Sequence, residues 1–596
     1  MGAQDWHAKT DTLTGGFDEW RRTLYTAVML RSVSIERTRA TAGLLFFCLS
    51  FACFSFAAGP SKPNLVLITI DSARADRMGF LGAKSSVTPN LDHLAAESIV
   101  FEHTYAQAPG TVVSHATILS GAYPQNTGMS EIGGTLTPSL LYLPELLKSQ
   151  GYRTAAFVSS IELDPQNGLA QGFDRGFQTY DAGFRPVIPG DARPPLTERR
   201  GDQVAAHAIV WLDHNTQGQF LLWAHIGNER TADAAIGKLI GALQQRKIYA
   251  NTAVIVAGSH GESLAAHGEE KSGIFLYDET VHVPLLIKLP EGQPGAKPSN
   301  SRVTAKVRLV DIAPTALEIA AIPVPSQMQG QSLLRIAKSS GGADQPVYSR
   351  SDLPQRGFGW SPLESWRASK YLYVRAPKPE LYDLTADPGA THNLAQSSKA
   401  TLDTMAAQLD NFDRRFNGEA GKATAELSSS EMQKLASLGY IGLQKSAASA
   451  ATVAGTEPKD KIAIANKVIE AAADAPSKPD RAIAALGPVV SADANLYLAQ
   501  YTLGAALAQK AQYAEAAKHL HKAIELQPDS AWAHYEIGAT LLRLKPGDFK
   551  TAVVHLEIAT GRLPAFAPAH VSLAEAYEHL GRIEDAKRER SKGGVK

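Results

Sequence analysis

Lys62-Pro-Asn-Leu-Val-Leu-Ile-Thr-Ile-Asp71 decides the fold. Leu65–Ile70 is a nearly unbroken apolar run rich in β-branched residues, the pattern of a strand buried on both faces. Asp71 follows at its carboxyl end, where open α/β sheets gather ligands. Outward from this run the same pattern recurs. It appears at Tyr152–Val158, Phe220–His225, Ala253–Ala257 and Leu285–Leu289, with helical patterns between. Strands alternating with helices specify an α/β fold with a doubly wound, mostly parallel sheet. Residues 181–200, rich in Gly, Pro and Arg, read as a loop, and residues 370–395 as strands and turns that close the domain.

The composition bounds the function. The chain has 596 residues, with 59 Lys plus Arg against 59 Asp plus Glu. Nothing in this balance points to the concentrated basic surface that nucleic acid wants, although individual patches remain open, and no nucleic-acid partner is expected. Its two cysteines, Cys48 and Cys53, both lie in the apolar run Ala42–Ala58, so the rest of the chain has no thiol for disulfides or metal. Arg31, Arg37 and Arg39 precede this run and Gly59-Pro60 follows it. Basic, apolar and small residues in that order form an export signal. Cleavage, a retained anchor and a lipid on Cys53 all remain open, as does a true start at Met29. The expected location is the bacterial periplasm or cell envelope, with membrane contact only through residues 42–58.

A different period governs the end of the chain. Gly504 and Gly538 stand 34 residues apart, as do Leu503 and Ile537. Ala516, Leu520, Ala523 and Pro528 recur as Ala552, Leu556, Ala559 and Pro564, displaced by two extra residues near Pro546-Gly547. Leu573, Ala574, Tyr577 and Ala586 begin a third unit, and Ala482 and Leu486 mark a degenerate earlier one. This periodicity resembles tetratricopeptide (TPR) helical hairpins, which implies a protein partner. The expected division is residues 1–60 as tail and signal, 61–440 as the α/β domain, 441–460 as a linker rich in Ala, Ser and Thr, and 461–596 as TPR repeats.

The α/β part resembles the sulfatase/alkaline-phosphatase superfamily across roughly residues 63–443. The resemblance rests on Leu67-Ile-Thr-Ile-Asp71, Arg74-Ala-Asp76, Thr88-Pro-Asn-Leu-Asp92, Thr111–Pro124, Gly172-Phe-Asp, His260-Gly-Glu, His267-Gly, Val283-Pro-Leu-Leu-Ile and Glu380-Leu-Tyr-Asp-Leu. It implies a nucleophile at Thr111. Sulfatases proper carry a cysteine there, matured to formylglycine; threonine closes that route and resembles the phosphodiesterase branch. The resemblance also implies catalytic roles for His267 and His225, and a metal held by Asp71 and His260.

This chain departs from the pattern at several positions. Ser259 and Asn228 stand where the family has aspartates, Arg230 where it has a histidine, and Lys271-Ser272 where a further histidine is expected. Arginine cannot ligate a cation. Arg230 and Lys271, with His115, suit an anion pocket instead. Any zinc, calcium or manganese is expected to bind weakly. The expected protein is an exported, sulfatase-like hydrolase with an eroded metal site, at best weakly active on phosphate or sulfate esters. The alternative is a non-catalytic scaffold that binds an anion or a protein through its TPR hairpins.

Overall fold

The computed structural model describes residues 62–84, 88–166, 169–184, 198–227, 229–293, 301–338, 344–416, 428–438 and 455–594. The expected export segment, most of the expected loop at 181–200 and most of the expected linker lie outside them. Among the described residues no helix is long and apolar enough to cross a membrane.

The central sheet has eight strands. In chain order they are β1 (Asn64–Ile70), β2 (Ile99–Tyr105), β3 (Arg153–Phe157), β4 (Thr179–Asp181), β5 (Phe220–Ile226), β6 (Thr252–Gly258), β7 (His282–Lys288) and β8 (Ser301–Arg308). Their spatial order is β8-β2-β7-β6-β1-β5-β3-β4. Only β7 runs antiparallel, against β2 and β6. Each strand foreseen in the sequence is present, and β1 sits at the centre between β5 and β6. Alternation splits its side chains: Leu65 and Leu67 join one apolar cluster, and Val66, Ile68 and Ile70 the other. Helices cover both faces. Among them α1 (Thr111–Ser120) lies on the Leu65 side, and Gly201–Asn215 and Glu229–Gln245 lie on the Val66 side.

A second sheet closes the domain, as the turn-rich sequence near 370–395 suggests. It is an antiparallel meander of β9 (Val347–Ser351), β10 (Leu363–Ala368), β11 (Tyr371–Arg375) and β12 (Glu380–Asp383). The helix α2 (Leu353–Phe358) lies between its first two strands, and α3 (Ser429–Ser437) follows the domain.

The C-terminal region is all helical. It comprises α4 (Ile462–Asp474), α5 (Pro479–Ala492), α6 (Tyr497–Gln509), α7 (Tyr513–Leu526), α8 (Ala531–Arg543), α9 (Phe549–Arg562), α10 (Ala567–His579) and α11 (Ile583–Lys592). The period in the sequence has a steric cause. A Cβ on Gly504 would stand 2.7 Å from Leu520 Cγ, and one on Gly538 would stand 2.6 Å from Leu556 Cγ. Only glycine lets the paired helices cross there.

The array is not a free arm. α6 packs on α2, and Leu498 of α6 lies beside Gly357. The apolar cluster that holds Leu65 and Leu67 continues into Ala465, Leu486 and Leu503. Asn466 of α4 clasps a loop of the α/β domain, donating to the Gly268 carbonyl at 2.8 Å and accepting from the Glu270 amide at 3.1 Å.

Candidate active site

Three strand ends and one helix start converge. Asp71 follows β1, His225 ends the core of β5, Ser259 and His260 follow β6, and Thr111 opens α1. Gly110, in extended conformation, caps that helix, so Thr111 is its first helical residue and not its cap. The Thr111 hydroxyl donates to Asp71 Oδ2 at 3.0 Å and lies 3.3 Å from His260 Nε2. His260 Nε2 stands 3.1 Å from Asp71 Oδ1, and the Ser259 hydroxyl donates to the same oxygen at 2.6 Å. His260 Nδ1 donates to the Gly261 carbonyl at 2.7 Å.

The electrostatics follow from this geometry. Burial works against both charges, but each reinforces the other. The His260 pKa is raised because the Asp71 carboxylate outweighs burial. The Asp71 carboxyl is held well below the usual carboxylate range because the neighbouring imidazoles outweigh burial. The result is a close Asp71–His260 pair in contact with the Thr111 hydroxyl. A His260 shifted towards its protonated form is a poorer acceptor for the Thr111 proton, and Asp71 is a weak base.

His225 is wholly buried. Its Nδ1 accepts from the Ser159 amide at 3.3 Å, which places the proton on Nε2. That nitrogen makes no hydrogen bond and faces Asp71 Oδ2 from 3.8 Å. His225 therefore joins the cluster at its base, beyond hydrogen-bond reach.

His115 holds a different position from the one expected. Its Nδ1 bonds to the Thr111 carbonyl at 2.6 Å and its Nε2 pairs with the Thr69 hydroxyl at 2.9 Å, which also accepts from Trp223 Nε1 at 3.0 Å. Burial pushes its pKa down to about 3. A neutral, buried ring with both nitrogens engaged has no donor for an anion; it fixes the backbone at the start of α1. His267 is also elsewhere. It stacks on Tyr277 with centroids 3.7 Å apart and faces Glu279 at 3.9 Å. Lys271 is exposed. Ser272 staples the loop, accepting from the Ser263 amide at 3.0 Å. Asn228 and the Arg230 side chain lie outside the described residues.

Two carboxyls near the cluster have no signal in the sequence. Glu162 belongs to the 3-10 turn Ile161–Leu163, which packs against α1. The residue keeps solvent access, yet its carboxyl reaches the Thr111 hydroxyl; burial of that carboxyl and repulsion from Asp71 push its pKa up. Glu131 lies against Gly110, and burial together with Asp352 pushes its pKa up to about 8.

The metal that the resemblance implies would draw on these donors. Asp71 Oδ1 accepts from the Ser259 hydroxyl and faces His260 Nε2, so two of the expected donors engage each other. Among the described residues no group of three or more His, Cys, Asp and Glu side chains is arranged to hold a metal ion. The described side chains do not fit the group.

Residues 63–230 match the sulfatase family, residues 271–414 the C-terminal region of N-sulphoglucosamine sulphohydrolase, and residues 504–545 the TPR repeat. The ulvan-active sulfatase of Formosa agariphila is 26% identical over 415 residues, covering 59% of this chain and 80% of its own. The N-acetylgalactosamine-6-sulfatase of Canis lupus familiaris is 24% identical over 465 residues, covering 61% and 88%. Among solved structures, the phosphonate monoester hydrolase of Agrobacterium radiobacter superposes with a TM-score of 0.50 at 19% identity, over 62% of this chain and 98% of its own. A 2-O GAG sulfatase does so with a TM-score of 0.50 at 20% identity, over 60% and 93%. The chain belongs to the sulfatase/alkaline-phosphatase superfamily. Within it, this is a member with a C-terminal TPR array.

Proposed function

We propose that the α/β domain is an ester-hydrolase fold whose reaction centre has been weakened, acting at best slowly on phosphate or sulfate esters. The observation that carries this reading is the Asp71–His260 ion pair, at 3.1 Å, in contact with the Thr111 hydroxyl. A threonine hydroxyl needs a metal or a matched base to become a nucleophile near neutral pH. Here the carboxylate is engaged by His260 and a serine hydroxyl, and Ser259 stands where the family has a second carboxylate. The formylglycine route of sulfatases is closed, since residue 111 is threonine. The relatives that act on sulfate esters favour that ester class for any residual turnover. Loss of electrostatic stabilisation of this kind commonly costs a hundredfold or more in rate per group, about 3 kcal/mol.

A second reading has its own support: TPR repeats are protein-interaction modules, and the array packs on the α/β domain. In it the protein is an envelope scaffold, exported through residues 42–58.

The experiment is a panel of chromogenic aryl sulfates, phosphate monoesters and phosphodiesters, with zinc, manganese or calcium added, run beside Thr111→Ala. Slow or absent turnover is expected. A robust rate abolished by Thr111→Ala would refute the weakened centre.

A further inference from the structure

The nine-residue helix α3 lies between the α/β domain and the TPR array in sequence, and two of its side chains pair with the array. It packs on α9. Glu431 receives two bonds from the Arg562 guanidinium, Nε to Oε1 at 2.8 Å and a terminal nitrogen to Oε2 at 3.1 Å. Lys434 donates to Glu557 at 2.6 Å, and Tyr577 of α10 donates to the other oxygen of that carboxylate at 2.8 Å. Leu435 is fully buried, whereas Met432 remains at the surface. Two pairs of opposite sign, three residues apart, fix the direction of α3 on α9, and the leucine anchors it.

Three features mark this contact as ligand-like and not core-like. A helix of nine residues is too short to persist in water alone, so its shape depends on the surface that receives it. Its start is defined by a capping box between Ser428 and Glu431, and the same Glu431 carboxylate meets Arg562. One of its two ion pairs keeps solvent access, with 41% of the Lys434 side chain exposed, and partly exposed ion pairs hold weakly. Such a contact is specific in pattern and readily displaced.

We propose that α3 is an internal ligand of the TPR array, and that α9 is a receptor surface for an amphipathic helix. The partner it fits is a protein helix with a carboxylate in its first turn, a lysine three residues later and a leucine beside that lysine. Such a helix competes with α3 for Arg562 and Glu557. This assignment concerns the array and stands apart from the reading of the Thr111 site.

The test uses the full chain and a fluorescein-labelled peptide of residues 428–438, read by fluorescence polarisation. A tethered helix acts at an effective concentration on the order of millimolar. The wild-type chain should therefore bind the peptide at least about tenfold more weakly than Leu435→Asp, which disables the internal copy. Adding Arg562→Glu should remove the gain, and a Glu431→Arg peptide should restore binding to that chain. Equal affinity of wild type and Leu435→Asp, or indifference to Arg562, would overturn the proposal. A second measurement covers a misfolded variant. Lys434→Cys with Glu557→Cys, in a chain with Cys48 and Cys53 changed to serine, is joined by a short bismaleimide. The joined chain should refuse the peptide; peptide binding by it, or a bridge formed between two chains, would likewise overturn the internal assignment.

Discussion

Asp71, Ser259, His260 and His225 are the residues of this site that the sequence exposes, because each ends or follows a buried strand. The strands of one sheet must deliver their ends to one edge, so these four meet whatever else the chain does. What supports them is hidden. Thr69 lies inside the apolar run and Trp223 inside another, 154 residues away, yet together they brace His115. Glu162 arrives on a turn with no motif at all. His267 shows the reverse failure: a His-Gly pair reads the same whichever way its loop folds, and here a left-handed backbone at φ 53 turns it onto Tyr277. The bracing chain is testable by Thr69→Val, which keeps the shape and removes the hydroxyl. His115 and Trp223 would each lose a buried partner, and urea unfolding should show a loss of about 1–3 kcal/mol. An unchanged midpoint would mean that the hydroxyl does not organise the start of α1.

At the scale of elements, the 34-residue period was readable because helix pairs demand small residues at fixed places, and Gly504 and Gly538 fill them. The same register carries a polar rung that the period does not reveal. Gln500 pairs with His519 at 2.7 Å, His534 with His555 at 2.8 Å, and His570 with Glu589 at 2.5 Å, one rung per hairpin. Only the middle rung joins two histidines. His534 Nε2 donates to the Pro528 carbonyl at 3.0 Å, so one proton serves the gap between the rings. His521 adds a further imidazole near His555, while Asp529, Glu431 and Arg562 surround His534. Burial pushes His534 down to about 4 and His555 well below its ordinary value. A depressed histidine stabilises the fold fully above its unfolded pKa of about 6.5 and loses that contribution as pH falls towards 4, up to roughly 3 kcal/mol. His555→Glu copies the His570–Glu589 rung and should move acid unfolding of the array to lower pH. Thermal melts across pH 4 to 7 read this, and superimposable curves for the two chains would count against the rung.

The whole molecule departs most from the sequence reading in how its two parts meet. A stretch rich in Ala, Ser and Thr suggests independent bodies, but one apolar cluster runs from Leu65 to Leu503, and Arg356 of α2 pairs with Asp529 of the array at 3.0 Å. Composition marks a tether; it says nothing of the surfaces the tether brings together. A chain ending near Gly442 would bare α2 and the Gly268 loop, and it should melt several degrees lower than the full chain, by differential scanning calorimetry. Equal melting of the α/β transition would show that the array is dispensable. The Thr111 centre sits in this combined body, and the mutual engagement of Asp71 and His260 predicts weak metal binding there. Calorimetric titration of the full-length chain with zinc, manganese and calcium tests it most directly. Less than one tightly bound ion per chain is the predicted result; two tightly bound ions per chain would contradict it.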